Sequence, residues 1–420
     1  MSARLRDDCF ALPPGVNWTP VDVALARLQD RLSCVTPVDD VPLSGSLGRI
    51  LARPAIARRD NPPADNSAID GYAFAWEALA GAEQGDLPIE PGRAAAGHPF
   101  PGRVPEGHAV RILTGAEMPQ GVDTVVLQED AEVGAGRIRF PSPRKQGANC
   151  RGRGEDTREG DIVLAPGRSI GPAELARLAS VGIDRIAVRA PLRVGVLSTG
   201  DELLQPGQDP ALPGIFDANR PMLLGLAAQF GHIPVDLGAL PDERDAVREA
   251  LDRAATECDA ILTTGGASSG DEDHVSRVLR EDGQVTTWRI AVKPGRPLAL
   301  GLWNAVPVFG LPGNPVAALV TALVFARPAL GVLAGRGWIE PEGFDVPAAF
   351  TKSKKSGRRE FLRARINEEG AAEVYHSEGS GLIDGLTWAN GLVELPDEGA
   401  EITPGALVRY IPYSGFGLRC

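Results

Sequence analysis

The chain has 420 residues, enough for two to four domains, each burying its own core. Lys+Arg 43 against Asp+Glu 55 leaves a net charge of −12, which excludes the basic footprint of a general nucleic-acid or anionic-membrane binder, so an anionic ligand must be met by local clusters of cations. Cys9, Cys34, Cys150, Cys258 and Cys420 lie far apart with no CxxC pattern, which predicts neither a thiolate metal site nor a disulfide framework and fits a reducing cytoplasm. The stretch "MSARLRDDCFALPPG" lacks a long apolar core and predicts no signal peptide.

In chain order, "PVDVALARLQDR" at 20–31 places Val23, Leu25, Ala26 and Leu28 on one face of a first helix. From about 60 to 150, short apolar runs broken by Gly and Pro predict a β-rich module, which ends in the polar, basic segment 137–161. Inside it, "DNSAIDGYA" at 65–73 sets Asp65 and Asp70 around Ser67, just before Gly71 and Tyr72. A turn needs Asn, Asp or Gly, but not two acids five apart beside a serine and a tyrosine.

From 192 to 330 apolar strands ("LRVGVLS", "HIPVDLGAL", "AILTTGG", "TTWRIAVKPG", "VPVFGLPG") alternate with helical patterns near 217–230, 242–257, 271–282 and 315–330. This predicts an α/β domain with a mostly parallel sheet covered by helices on both sides. No charge occurs from Pro297 to Ala326, yet "GLPGNP" interrupts the run, so a buried strand, turn and helix are expected and not a membrane span. After 336 the pattern returns to β. In "EFLRARI", Leu362, Ala364 and Ile366 alternate with Arg363 and Arg365, predicting an apolar and a cationic face within a small C-terminal barrel or sandwich.

Open α/β sheets bind ligands at the carboxyl ends of their strands. There, "GGASSGDEDHV" offers Gly265 and Gly266 for close backbone approach, Ser268 and Ser269 as hydroxyls, and a following helix N-terminus, which suits phosphate. A plain strand-to-helix turn with a Ser or Asp cap reads equally from the pattern. No P-loop or GxGxxG occurs, and none of the five histidines has ligand spacing; His274 is expected only to open a helix. Asp201, Glu202, Asp242 and Asp273 fall in loops at one sheet edge and could hold a hard cation such as magnesium, though each singly could be a helix cap. Arg289, Lys293 and Arg296 around one turn suggest an anion clamp. A second cationic run, 351–365, is ordinarily a solvated surface, from which Arg363 stands apart by alternating within a strand.

Eight stretches in this order, "DNSAIDGYA", "RILTGAEMPQGVDTVV", "RGRGEDTREGD", "LSTGDEL", "TTGGASSGDEDHV", "KPGRPLALG", "GLPGNPVAAL" and "GRREFLRA", resemble the molybdopterin molybdenumtransferase family, bacterial MoeA and the gephyrin E domain, over nearly the whole chain. The resemblance implies an extended linker domain of two segments (15–60 and 151–188), a β-rich module (61–150), a three-layer α/β domain (189–335) and a C-terminal β-barrel (336–420). It also implies a cytoplasmic homodimer that takes adenylylated molybdopterin, accepts molybdate, releases AMP and uses Mg2+, with transient contacts to other cofactor-biosynthesis proteins. Under it, Asp65, Thr114, Arg151 and Asp156, with Ser67 and Asp70, belong to the partner side of a site shared between subunits. Glu202, Asp242 and Asp273 form the metal-binding α/β side. Gly265, Gly266 and Ser269 would cradle the pterin phosphate, and Arg289, Lys293, Arg363 and Ser380 would attract molybdate, with Arg296, Pro312 and Asn314 also on the substrate. Catalysis would rest on Asp65, Asp156, Glu202, Asp242, Asp273 and Lys293. Ala317 stands where the family's turn commonly carries Ser, and Gly152 interrupts a common arginine run, so neither side chain can contact an oxyanion. A molybdopterin adenylyltransferase and a gephyrin-like scaffold are the alternatives.

Overall fold

The computed structural model describes residues 19–209, 211–265, 274–282, 284–295 and 297–418. The first helix, Val21–Arg31, buries Val21, Ala24 and Leu28, while Val23 and Ala26 face outward. The expected stripe was therefore rotated: positions three and four apart beginning at Val21 pack onto the core of the α/β domain, and Val23 falls on the opposite face.

The strand Val38–Pro42 pairs antiparallel with Arg185–Arg189, which also pairs with Ile50–Leu51. Leu51, Ala55 and Ala57 share a core with Val163, Ile170, Leu178 and Val188. The chain thus leaves this unit near Ala57 and returns near Asp161, where Ala57 N–H donates to the Asp161 carbonyl (2.9 Å). Between the two crossings lies a six-stranded sheet in the order Thr124–Leu127, Gly71–Phe74, Ala109–Ile112, Gln84–Ala94, Arg137–Pro141, Glu132–Gly134. Apolar clusters cover both of its faces, around Phe74 and Phe140 on one and Val110 and Val125 on the other. Gly71 of "DNSAIDGYA" is required by this packing: a Cβ there would lie 1.9 Å from the Val126 carbonyl oxygen.

The next sheet runs Ile233–Leu240, Arg193–Thr199, Ala260–Thr264, Val306–Leu311, Pro297–Trp303, Gln284–Arg289. The first four strands are parallel and the last two antiparallel. "TTWRIAVKPG" is accordingly not one strand of the parallel set. Its first half is an antiparallel edge joined by a hairpin-like return, and Val292–Lys293 crosses to pair with Arg359–Ile366 of the C-terminal sheet. Helices Asn219–Gln229, Arg244–Glu257 and His274–Asp282 match the sequence patterns, His274 opening the last of them. The apolar stretch forms the strand Val306–Leu311, the turn 312–314 and a helical rod, Pro315–Leu333, long and apolar enough by composition to cross a membrane but almost wholly buried inside the protein. It carries a π-helical segment, Ala322–Ala326, between two α-helical ones.

The C-terminal sheet runs Val292–Lys293, Arg359–Ile366, Gly391–Leu395, Leu407–Pro412, Phe344–Pro347, with Ala372–Val374 beside Arg359–Ile366. A bridge between Ala348 and Ala372 links the two ends around a core of Val346, Leu362, Ala364, Val393 and Tyr410. The strand "EFLRARI" departs from simple alternation. Glu360, Phe361, Leu362, Arg363 and Ala364 are all buried because this central strand is covered on both faces, so only Arg365 keeps the exposed cationic position.

Candidate active site

Sheet order places a switch point between the strands Arg193–Thr199 and Ala260–Thr264, because the chain leaves the first toward Ile233–Leu240 on one side and then crosses to the other. A cavity of about 340 Å³ opens there, lined by Ser198, Thr199, Glu202, Asp217, Asn219, Thr264, Gly265, Gly313, Asn314 and Pro315 among others. Gly265 has φ +84°, and a Cβ there would sit 2.4 Å from the Thr199 carbonyl oxygen. Only glycine lets these two strand ends approach so closely. Gly266, Ser269, Asp273 and Arg296 lie outside the described residues, as does the side chain of Arg289, whose backbone ends the strand Gln284–Arg289.

The segment "DANR", 217–220, escaped the sequence reasoning. Asn219 is 8% exposed, and its amide donates to Thr264 Oγ1 (2.7 Å) and the Gly313 carbonyl (2.6 Å), tying three walls of the cavity together. Arg220 donates from its backbone and Nε to Asp217 (3.1 and 3.0 Å) and from Nη1 to both oxygens of Asp236 (2.6 Å). An Asp three residues before an Arg at a helix start was the signal available.

Asp201, Glu202 and Asp242 converge beside this cavity. Asp242 N–H donates to Asp201 Oδ1 (2.9 Å), and burial, then the Asp201 and Glu202 charges, push the Asp242 carboxyl above its ordinary range. Asp242 does not cap the following helix: the cap position is Glu243, which makes no side-chain cap bond. Among the described residues no three His, Cys, Asp or Glu side chains meet as metal ligands, and Asp273 lies outside them. Crowding of this kind, which raises the proton affinity of Asp242, is what a hard cation relieves.

A second cavity, about 220 Å³, is lined by Lys293, Pro294, Val316, Lys352, Arg363, Tyr375, His376, Ser377 and Glu378 among others. It lies across the start of the buried helix from the first: Asn314 and Pro315 line one cavity, Val316 the other. Val316 N–H donates to the Ser380 carbonyl (3.2 Å), and the Pro312 carbonyl accepts from Thr264 Oγ1 (3.4 Å). Arg363, 5% exposed, donates to the carbonyls of Ser377 (2.5 Å), Gly379 (3.1 Å) and Leu382 (2.5 Å) and lies over the Tyr375 ring. It thereby fixes the segment that carries Ser380.

The remaining site residues form a separate group. Asp70 Oδ1 accepts from both the backbone and the hydroxyl of Thr114 (2.7 Å each), which lowers its pKa. Asp65 Oδ1 accepts from Arg153 N–H (2.7 Å), and buried Ser67 donates to the Ile69 carbonyl (2.6 Å). Asp156 accepts from Asn61 (3.0 Å) and Thr157 (3.2 Å), while exposed Arg151 pairs in register with Asn66. The hydrogen bonds described for these six all stay between Asn61 and Thr157 and do not reach the α/β cavities.

A switch-point cavity flanked by acids and a second cavity lined by Lys293 and Lys352 thus lie on either side of the start of the buried helix. Three family profiles tile the chain: "MoeA N-terminal region (domain I and II)" over 19–182, "Probable molybdopterin binding domain" over 195–331 and "MoeA C-terminal region (domain IV)" over 345–413. The molybdopterin molybdenumtransferase of Haemophilus influenzae is 36% identical over 94% of this chain and 98% of its own length. That of Nostoc is 32% identical over 88% and 87%. A crystal structure of the molybdopterin biosynthesis MoeA protein from Pyrococcus horikoshii superposes with a TM-score of 0.82 at 28% identity, covering 94% of this chain and 100% of that one. The chain belongs to the MoeA family of molybdopterin molybdenumtransferases, and so to an enzyme family.

Proposed function

We propose that this chain inserts molybdenum from molybdate into adenylylated molybdopterin with release of AMP, completing molybdenum cofactor in the cytoplasm. The observation that carries this reading is the pair of cavities on either side of the 312–314 turn and the helix start that follows it, one at the switch point and acid-flanked, the other lined by Lys293 and Lys352. The pterin and its phosphate fit the first, where Thr264 and Gly265 end a strand and the following loop, with Gly266 and Ser269, would cradle the phosphate. Molybdate fits the second, drawn by Lys293 and by the segment carrying Ser380. Glu202 and Asp242, with Asp273, would hold magnesium, whose chemistry is to neutralise phosphate oxygens as the anhydride breaks. Asp217 and Asn219 shape the cavity wall.

Asp65, Ser67, Asp70, Thr114, Arg151 and Asp156 complete the site from the second subunit of a homodimer, which gives the separated acid group a ligand to serve. The four structural units described above correspond, on this reading, to the linker, β-rich, α/β and barrel domains, the Ala348–Ala372 bridge closing the last.

Purified protein given adenylylated molybdopterin and magnesium should release AMP only when molybdate is present. AMP release indifferent to molybdate would overturn the proposal. Formation of pyrophosphate from ATP and molybdopterin would instead favour the adenylyltransferase.

A further inference from the structure

The lysine-rich cavity holds a carboxylate, Glu378, to which the proposed reaction assigns no role. Lys293, from the strand Val292–Lys293, and Lys352, from the strand Lys352–Lys354, end on the same group: Lys293 Nζ lies 2.6 Å from Glu378 Oε2, and Lys352 Nζ pairs with Glu378 Oε1. Behind them sits Glu360, 6% exposed, with Oε2 3.1 Å from Lys352 Nζ and 3.5 Å from Lys293 Nζ. Two lysines therefore face two glutamates, one buried and fixed, the other with a side chain 48% exposed.

Glu378 lies in the irregular segment between the strand Ala372–Val374 and the helix Asp384–Trp388. Its neighbours cannot easily move, because Arg363 grips the carbonyls of Ser377 and Gly379 on either side of it. The Glu378 side chain can swing away by rotamer change alone, leaving the backbone in place. Its departure would uncover two ammonium groups set around one vacated carboxylate position, in a cavity of about 220 Å³.

Resting on the reading that molybdate enters this cavity, we propose that Glu378 is an internal counter-anion: its carboxylate holds the oxyanion position between Lys293 and Lys352 and must rotate out before a tetrahedral dianion binds. The consequence is a threshold: only an anion that binds the two lysines more strongly than the tethered carboxylate enters. A tethered carboxylate competes at an effective concentration on the order of millimolar. A free monoanion that replaces it gains no charge and loses that advantage, whereas a dianion brings a second charge to the same two lysines. Glu360 stays in place and prevents the vacated position from holding two uncompensated cations.

The test measures binding of molybdate and of perrhenate, a tetrahedral monoanion of similar shape, to the full-length protein by equilibrium dialysis, with the thermal unfolding midpoint recorded for each variant. Glu378→Gln should bind perrhenate and molybdate each about tenfold more tightly than the parent, because either anion must displace the same carboxylate. Lys352→Gln should weaken molybdate binding whether residue 378 is Glu or Gln. A merely structural ion pair would lower the unfolding midpoint and leave the affinity for both anions unmoved. If the parent binds molybdate and Glu378→Gln changes neither anion, the gate is overturned while the oxyanion site stands. If neither protein binds molybdate, the oxyanion assignment falls, and the gate with it.

Discussion

Asp242 shows how a single carboxyl separates structure from chemistry. Its proton affinity is raised by burial and by Asp201 and Glu202, so its ionised form is disfavoured in the folded protein. A raised carboxyl contributes stability that is fully present below its unfolded pKa and is lost as pH rises through its folded pKa. Without magnesium, Asp242→Asn should therefore leave the unfolding midpoint at neutral pH equal to the parent's or slightly above it, and should flatten the loss of stability above the ordinary carboxylate range. Magnesium should raise the parent's midpoint more than the variant's. AMP release should fall by tenfold or more, about 1.4 kcal/mol of lost transition-state stabilisation. Normal release by the variant at limiting magnesium would remove Asp242 from the metal site. Arg363 behaves differently, because its guanidinium is spent on three backbone carbonyls and an aromatic face. Arg363→Ala should cost roughly 2–3 kcal/mol in denaturant unfolding, since three carbonyls lose their charged donor and a buried side chain is removed. It should also raise the molybdate concentration needed for turnover, with pterin binding nearly unchanged.

At the scale of elements, the rod Pro315–Leu333 is the clearest case of a sequence pattern with two readings. Its composition would suit a membrane, yet Leu319, Leu323, Phe325 and Leu330 pack into the core shared by the sheet and the first helix. Phe325→Ala should cost about 3–5 kcal/mol in denaturant unfolding, the penalty of a cavity in a close-packed core. A loss under 1 kcal/mol would mean that this helix is not buried as described. Much at this scale was legible because parallel strands and their helices carry strong periods: the strands at 193, 233, 260 and 306 and the four helices between and after them fall where the pattern put them. The first helix was read one face off, because its apolar residues allow two stripes and only the partner surface chooses between them. The antiparallel pair Gln284–Arg289 and Pro297–Trp303 was missed because a strand reversal without a helix leaves no periodic signature. Lys352 was hidden in a charge run and Glu378 in a polar segment, and Asn219 reads as an ordinary helix start. Each gains its meaning from contacts made far away in sequence.

At the scale of the molecule, the site residues fall into two groups held by different cores. One group rests on the N-terminal cores built around Leu178 and Phe74, near Asp65, Asp70 and Asp156; the other on the cores of the α/β and C-terminal sheets, around Glu202, Asp242 and Lys293. Their placement was readable from sequence only as motifs in order, since nothing local says which chain a loop serves. The proposed account joins them across a dimer, and the most direct measurement uses crossed variants. Asp65→Ala and Asp242→Asn proteins, each nearly inactive alone, are co-refolded or co-expressed with two tags, and heterodimers are isolated by both. A heterodimer then contains one site with both defects and one with neither. The account predicts molybdate-dependent AMP release of about half the parent's in purified heterodimers and about a quarter in an equal, freely exchanging mixture. Verified heterodimers with no activity above that of the single variants would contradict a site shared between subunits.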